Sequence, residues 1–405
     1  MPNGDAGTWA GADAGMPPPP GFPSGGSWPP VPPGPGSDRG RRGAAFLIAT
    51  VLIASSVFGA WQLVRTASDS ASPSAAASGQ VEGDQRASAI ARQVDPAVVD
   101  INTFTRVFGR PSGGMTPLGA GTGMILTPSG EVLTNNHVVD GAWKIEVSIA
   151  GRPGTATATV IGVDPSADVA LIQLQGVSGL PTVTTASASS VTVGDRVLGI
   201  GNALGRGGTP SVAVGSISGI DRTIKAGVPG GQSEQLSGMI ATNAQIQPGD
   251  SGGPLVDTSA HVVGMITAGG ANKQGPITGF AIPVETALGI VNRIRGGENS
   301  APPIYLGDRG HIGIAVDQVD GHTAKQLGVT SGALVVGVDP GGPAANAGVT
   351  VPSVITSIGG NAVTSKESLG LVLHTFVPGD QVVVKWVDAS GSHSRTVLLD
   401  KGPAI

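Results

Sequence analysis

The sequence predicts a mainly β protein: a β-rich exported body carried behind a low-complexity tail and one transmembrane helix. Three observations carry this expectation. Glycine (66) and proline (32) make up about a quarter of the 405 residues, which favours turn-rich β architecture over helical bundles. Short strand-like runs recur between turn signals, while helical periodicity is rare. Hydrophobic residues are 40% of the chain, enough to bury a core.

Composition also excludes classes of function. Charged residues are 13% of the chain and the net charge is −5, so the basic footprint of a nucleic-acid binder is missing. The absence of cysteine rules out disulfides, thiolate metal sites, iron–sulfur clusters and a cysteine nucleophile. The six histidines are scattered without metal-ligand spacing, so neither a metal site nor a cofactor is expected.

The elements follow in order. Residues 1–43 contain runs such as Pro17-Pro18-Pro19-Pro20 and are read as a disordered cytoplasmic tail of polyproline II character. Residues 44–64 form an uncharged apolar stretch of 21 residues, long enough to cross about 30 Å of hydrocarbon as a helix. Arg39, Arg41 and Arg42 precede it and Arg65 follows. That excess puts the N-terminal side in the cytoplasm and makes the chain a single-pass membrane protein. A cleaved export signal is the rival, with an unusually long charged region. Residues 65–87 are rich in Ser and Ala and are read as a flexible linker outside the membrane.

The body starts near residue 88. Val98-Val99-Asp100-Ile101, Thr122-Gly123-Met124-Ile125-Leu126, Val169-Ala170-Leu171-Ile172-Gln173-Leu174 and His261-Val262-Val263-Gly264-Met265-Ile266 read as short strands. Turns such as Thr127-Pro128-Ser129-Gly130 separate them. One helix is expected over 284–295 and another over 365–376, where Leu369, Val372, Leu373 and Phe376 fall on one face. Gly, Pro and polar residues over 298–306 mark a linker. It separates a first domain, 88–297, from a second, 307–402.

The chemistry centres on Gln247-Pro248-Gly249-Asp250-Ser251-Gly252-Gly253-Pro254-Leu255. A serine hydroxyl is a poor nucleophile at neutral pH and needs a base. It also needs backbone N–H groups aimed at the developing oxyanion. The glycines flanking Ser251 let the backbone bend tightly enough for such groups to converge. The same residues satisfy the G-x-S-x-G nucleophile elbow, but an elbow needs a helix directly after the serine and its acid and histidine later in the chain. Pro254 and the strand-like run after it disfavour that reading. His137 is the only histidine before Ser251 and becomes the base. Asp168, just before the run 169–174, becomes the acid that orients the imidazole; Asp164, before Pro165, is read as a turn residue. The order His, Asp, Ser is the chymotrypsin order.

Thr134-Asn135-Asn136-His137-Val138-Val139, Asp168-Val169-Ala170-Leu171, Gly249-Asp250-Ser251-Gly252-Gly253-Pro254 and Gly279-Phe280-Ala281-Ile282-Pro283 resemble the HtrA family of serine proteases, in particular its actinobacterial membrane-anchored or secreted members. The resemblance covers about 90–400. It implies two chymotrypsin-like six-stranded β-barrels with the triad in their cleft, a C-terminal PDZ domain, and a homotrimer. It implies the N–H groups of Gly249 and Ser251 as the oxyanion hole. By motif position Gln245 falls at the floor of the primary specificity pocket. Ile266, Thr267 and Ala268 would pair with substrate backbone as an added strand. Three stretches, 225–234, 244–247 and 269–278, would flank the site as ligand-ordered loops. In Gly310-His311-Ile312-Gly313-Ile314, the N–H groups of Ile312, Gly313 and Ile314 would receive a peptide C-terminus, with helix 365–376 walling the groove. The apolar Pro403-Ala404-Ile405 is of the type such a groove accepts.

The implied function is a serine endopeptidase for unfolded or misfolded exported proteins, serving protein quality control in the stress response. The alternative is a chaperone or peptide-binding scaffold with little proteolysis. An esterase is a second rival, which a protein substrate separates from a protease. Two departures stand out. Asp250 precedes the serine where many relatives carry Asn, and Val351-Pro352-Ser353-Val354-Ile355 replaces the usual Pro-Gly-Asp-Val-Ile.

Overall fold

The computed structural model describes residues 76–107, 114–187, 190–205, 207–226, 234–270, 278–298 and 304–404. The proline-rich tail, the apolar stretch 44–64 and most of the stretches 225–234 and 269–278 lie outside these residues. Among the described residues no helix is long and apolar enough to cross a membrane.

The expected linker 65–87 is corrected over its second half. Helix α1 spans Ala76–Val94. Its buried residues Ala87, Ile90, Ala91 and Val94 join the main core. They stand at i, i+3, i+4 and i+7, a helical face that Ser/Ala-rich composition concealed. Pro96, without a backbone N–H, stands just past its end.

Six strands then build the first barrel: β1 (Val98–Arg106), β2 (Met115–Ile125), β3 (Glu131–Thr134), β4 (Lys144–Ile149), β5 (Thr155–Asp164) and β6 (Val169–Leu174). A one-turn helix α2 (Asn136–Val139) follows β3. Antiparallel pairing runs β1-β2-β3-β6-β5-β4 and back to β1, closing a ring. Ile101, Ile125, Val132, Val147 and Ile172 fill it. The second ring is a closed barrel of β7 (Arg196–Gly201), β8 (Ser211–Ala226), β9 (Glu234–Thr242), β10 (Pro254–Val256), β11 (Val262–Gly270) and β12 (Thr278–Pro283). Val197, Ile240, Leu255, Val263 and Ala281 fill its interior.

A further core lies where the barrels meet. Met124, Leu133 and Leu171 from the first pack with Leu198, Ile200, Met239 and Met265 from the second. Helix α3 (Val284–Arg295), at the bounds the periodicity gives, seals it with Val284, Ala287, Val291 and Ile294.

The expected linker 298–306 is corrected at its end. β13 (Tyr305–Leu306) pairs with Val163 and Gly162 of β5, so it extends the first barrel. Its two residues of extended chain are too few for the composition to reveal. Beyond it come β14 (Gly310–His311), β15 (Ile314–Gln318), α4 (Gly321–Leu327), β16 (Ala333–Val338), α5 (Pro343–Ala347), β17 (Ser353–Ile358), β18 (Asn361–Ala362), α6 (Lys366–Leu373), β19 (Gln381–Asp388), β20 (Gly391–Leu398) and β21 (Asp400–Lys401). The sheet order is β15-β16-β17-β19-β20, with β18 on β17. Its core holds Val335, Ile355, Ile358, Val384 and Trp386. α6 begins at Ser365, whose hydroxyl caps the Ser368 N–H, and buries Leu369 and Leu373.

This domain is seated on the first barrel. Trp143 meets His311 edge-on with ring centroids 5.0 Å apart, and Tyr305 meets His374 at 4.8 Å. The Arg106 guanidinium covers Trp143 at 3.9 Å. Burial, then the nearby Arg309 charge, push the His374 ring down to about 4, so its neutral Nε2 accepts from Arg309 at 2.9 Å. Ala404 does not enter a peptide groove: its C=O accepts from Gly141 N–H at 2.9 Å and its N–H donates to Ala142 C=O at 2.7 Å. Ring and cation–π contacts are each worth roughly 0.5–1.5 kcal/mol. Trp143→Ala is therefore expected to accelerate amide exchange at Gly141 and Ala404 by about tenfold; unchanged exchange would show that the rings do not hold the seat.

Candidate active site

β3 ends at Thr134, and Asn135-Asn136 turn the chain into α2, which carries His137. Val138 and Val139 are buried in the first barrel and leave the His137 side chain 51% exposed toward the cleft. Asp164 behaves as a turn residue: its carboxylate accepts from Ala167 N–H and the Ser166 hydroxyl. That turn delivers Asp168 in a left-handed conformation (φ 54°, ψ 45°) just before β6. The Asp168 carboxylate is buried and lies 2.9 Å and 3.0 Å from His137 Nδ1 through its two oxygens. It also accepts the His137 backbone N–H at 3.0 Å and the Thr267 hydroxyl. Two carboxylate oxygens on Nδ1 place the proton there, which makes Nε2 the unprotonated nitrogen of the neutral ring.

Ser251 sits in the loop between β9 and β10, on the other barrel. Its hydroxyl donates to the Thr267 carbonyl at 3.1 Å. Thr267 therefore touches Ser251 through its carbonyl and Asp168 through its hydroxyl. A bulge in the β11–β12 pairing, between Ile266 and Ala268, takes Thr267 out of register; a bulge commonly re-aims a side chain in this way. Gly121 completes the junction: a Cβ there would stand 2.7 Å from the Val138 methyls and 3.2 Å from the Ser251 carbonyl oxygen.

The loop needs its glycines. Gly249 (φ +99°) and Gly252 (φ +86°) have conformations that L side chains rarely adopt, and a Cβ on Gly252 would stand 2.0 Å from the Thr122 carbonyl oxygen. Pro248 C=O accepts from Leu204 N–H at 2.6 Å and Asp250 C=O from Gly253 N–H at 2.9 Å. A trans peptide is planar, so each partner N–H, on Gly249 and on Ser251, points the opposite way. Among the described residues neither has a protein acceptor.

The other residues named from the sequence are placed as follows. Gln245 lines a cavity of about 250 Å³ with Gln247, Asp250 and Ser211 to Val214. Its neighbour Ile246, not singled out from the sequence, is buried against Gly199 and Gly279. Ile266 is buried, exchanging backbone bonds with Gly252 and Gly253, and Ala268 pairs with Phe280. β10 covers β11 only as far as Met265. In the second domain Ile312 and Ile314 are buried and Gly313 takes φ +76°. β15, which begins at Ile314, is an edge strand of its sheet.

Sequence reasoning missed Thr122, Asn202 and Leu204, which support the serine loop through a hydroxyl and backbone N–H groups and have no motif of their own. Asp250 is buried, accepting from Gln247 N–H at 2.9 Å and the Ser211 hydroxyl at 3.3 Å, and burial raises its pKa. Asp100 on β1 is pushed up to about 6 by burial, against the opposing pull of the Gly208 N–H. Among the described residues no His, Asp and Glu cluster has metal-holding geometry.

Two six-stranded barrels, with an Asp–His pair on one and a serine in a glycine-rich loop on the other, define a trypsin-like serine peptidase. Residues 121–265 match the trypsin-like peptidase domain model and 310–387 the PDZ domain model. The serine protease PepD of Mycobacterium tuberculosis is 35% identical over 78% of this chain and 66% of its own length. The putative serine protease HhoB of Synechocystis is 34% identical over 70% of this chain and 72% of its own. Protease Do-like 1, chloroplastic, of Arabidopsis thaliana is 33% identical over 71% and 65%. The match thus spans about two thirds of these relatives' length. Among solved structures, the HtrA-type protease AlgWS227A with decapeptide is 27% identical over 78% of this chain and 98% of its own, with a TM-score of 0.44. The chain belongs to the HtrA/DegP family of serine proteases.

Two outcomes follow from the geometry. Gly252→Ala should abolish activity, because the Cβ meets backbone that cannot yield; full peptidase activity in this variant would refute the loop geometry. Asp100 is the second case. Its folded pKa lies above that of the unfolded chain, so its stability contribution is complete at low pH and is lost as pH rises through about 6. Between pH 4 and pH 7 the wild type should lose more unfolding free energy than Asp100→Asn, as read by urea denaturation; parallel losses would remove the assignment.

Proposed function

We propose that the chain is an extracytoplasmic endopeptidase that cuts unfolded or misfolded exported proteins, with His137, Asp168 and Ser251 as its catalytic triad. The observation that carries this reading is the Asp168 carboxylate, 2.9 Å from His137 Nδ1 and bonded to the same Thr267 that receives the Ser251 hydroxyl.

In this reading His137 Nε2 takes the Ser251 proton as Oγ attacks the substrate carbonyl. The resulting oxyanion is received by the N–H groups of Gly249 and Ser251. His137 then gives its proton to the departing amine as the C–N bond breaks, leaving an acyl-enzyme. Water attacks the ester, its proton passes to His137, and His137 returns that proton to Ser251 Oγ as the C–O bond breaks and the acid leaves. The substrate enters as an added strand along β11 over the stretch Ile266, Thr267 and Ala268; β10 ends at Met265 and the bonds of Ile266 go to Gly252 and Gly253, so the open part of the edge begins after Ile266. Gln245 belongs to the specificity pocket, and the segment from Asn243 to Pro248 carries no acid, so that segment supplies no electrostatic preference for Arg or Lys.

The PDZ domain binds peptide C-termini. Their carboxylates would meet the N–H groups of Ile312, Gly313 and Ile314, and their backbone the open edge of β15 beside α6. Residues 44–64 anchor the chain in the membrane with its N-terminus in the cytoplasm. The task is protein quality control under stress. The family resemblance supports a homotrimer.

Casein cleavage tests the reading. Wild type should cut, Ser251→Ala should not, and Asp168→Asn should fall by about 10⁴-fold through loss of the correct imidazole tautomer. Equal cleavage by wild type and Ser251→Ala would remove Ser251 as nucleophile. Suppressed aggregation without cleavage by any of the three would favour the binding-scaffold reading.

A further inference from the structure

We propose that Thr122 is a positioning residue for acyl transfer, aligning the oxyanion-binding amides of the serine loop with the histidine arm across the cleft between the barrels. The proposal rests on the reading of Ser251 as nucleophile.

Thr122 stands on β2 of the first barrel and is fully buried. Each of its polar atoms is engaged, and each bond goes to a part of the site. Its N–H donates to the Ser251 carbonyl at 2.8 Å. Its carbonyl accepts the Thr134 hydroxyl at 2.7 Å, and Thr134 stands three residues before His137. Its hydroxyl accepts the Asn202 N–H at 2.8 Å and donates to the Gly249 carbonyl at 2.7 Å. The direction of the last two bonds is settled by chemistry. A backbone N–H can only donate, so Asn202 occupies an acceptor lone pair and the one hydroxyl proton is committed to Gly249.

This side chain controls the loop from two sides. It holds the carbonyl of the Gly249–Asp250 peptide directly. Through Asn202 it holds the turn that carries Leu204, whose N–H grips the Pro248 carbonyl at 2.6 Å. The orientation of the Pro248–Gly249 peptide decides where the Gly249 N–H points. Gly249, at φ +99° and without a Cβ, has no conformational preference of its own strong enough to resist a flip of that peptide. The loop's own bonds join Gln247, Asp250 and Gly253; the restraint on the Gly249 carbonyl comes from outside the loop, and Thr122 supplies it. Thr122 Cγ2 also lies close to Gly253, 3.1 Å from where a Cβ would stand there, so shape and hydroxyl are separable by substitution.

The test uses the full chain with wild type, Thr122→Val, Thr122→Ser and Ser251→Ala. Two readouts are taken: kcat and KM on a peptide anilide, and inhibition by a peptide boronic acid, which bonds to a serine Oγ and puts a negative oxygen in the oxyanion position. Thr122→Val keeps the shape and loses the hydroxyl. It should lower kcat about 10- to 100-fold with KM within about twofold, and weaken boronate inhibition by a similar factor. Thr122→Ser keeps the hydroxyl and should stay within about threefold of wild type on both readouts. Should Thr122→Val not fold, Thr122→Ala beside Thr122→Ser carries the same comparison, since the two differ only in the hydroxyl. A Val variant with unchanged kcat and boronate affinity overturns the proposal. So does a Ser variant that falls as far as Val, which would assign the effect to packing. Cleavage retained by Ser251→Ala overturns the nucleophile reading and this proposal with it; a dead Ser251→Ala beside a fully active Val variant overturns this proposal alone.

Discussion

His137 and Asp168 belong to one barrel and Ser251 to the other, so the site exists only while the two barrels keep one register. The apolar core between them holds that register. Met124, Leu133 and Leu171 on one side meet Leu198, Ile200 and Met265 on the other, each almost fully buried. Burying one such side chain contributes roughly 1.5–3 kcal/mol, but that attraction has no direction. Position is set by the polar contacts that cross the same cleft: Thr122 to Ser251 and Gly249, and Thr267 to Asp168. Burial makes these bonds costly to leave unmade, which is why they specify geometry as well as add stability.

The serine loop shows the same division of labour at smaller scale. Its glycines allow the chain to pass within contact of Thr122 and Asn202, where any side chain would collide. Freedom of that kind does not select one conformation. Selection comes from carbonyls held on the far side of each peptide, by Leu204 behind Pro248 and by Gly253 behind Asp250. The amides of Gly249 and Ser251 each point away from that engaged carbonyl, because a trans peptide sets its N–H and C=O on opposite sides.

The second domain is joined to this machinery close to the histidine. Gly141 and Ala142, a few residues past His137, exchange backbone hydrogen bonds with Ala404. Trp143 supports His311, one residue before the Ile312-Gly313-Ile314 loop. β13 adds an edge to the first barrel immediately before the second domain begins. The open edge at β15 and the helix bearing His137 are thus connected through a short path of packed rings and backbone bonds.

Much of the site was legible because its signals are local. A serine within glycines, a lone upstream histidine after a strand, and an aspartate at the head of the run 169–174 each sit in a contiguous stretch, and α3 declares itself through its apolar spacing. α1 was concealed because half of its buried face, Ala87 and Ala91, is alanine, and its first turns are Ser/Ala-rich, which composition alone cannot tell from a tether. The class of chemistry, the family and most of the strands depend on residue type and short-range period, and so were readable before folding was considered. Which polar groups hold the serine loop emerges with the folded chain alone. Thr122 and Gly249 are 127 residues apart in the chain, and Asn202 and Thr122 are 80 apart. Each is an ordinary residue in its own segment. Their bonds exist because two barrels close and dock, bringing a hydroxyl, an amide and a carbonyl into one buried place where each must find a partner.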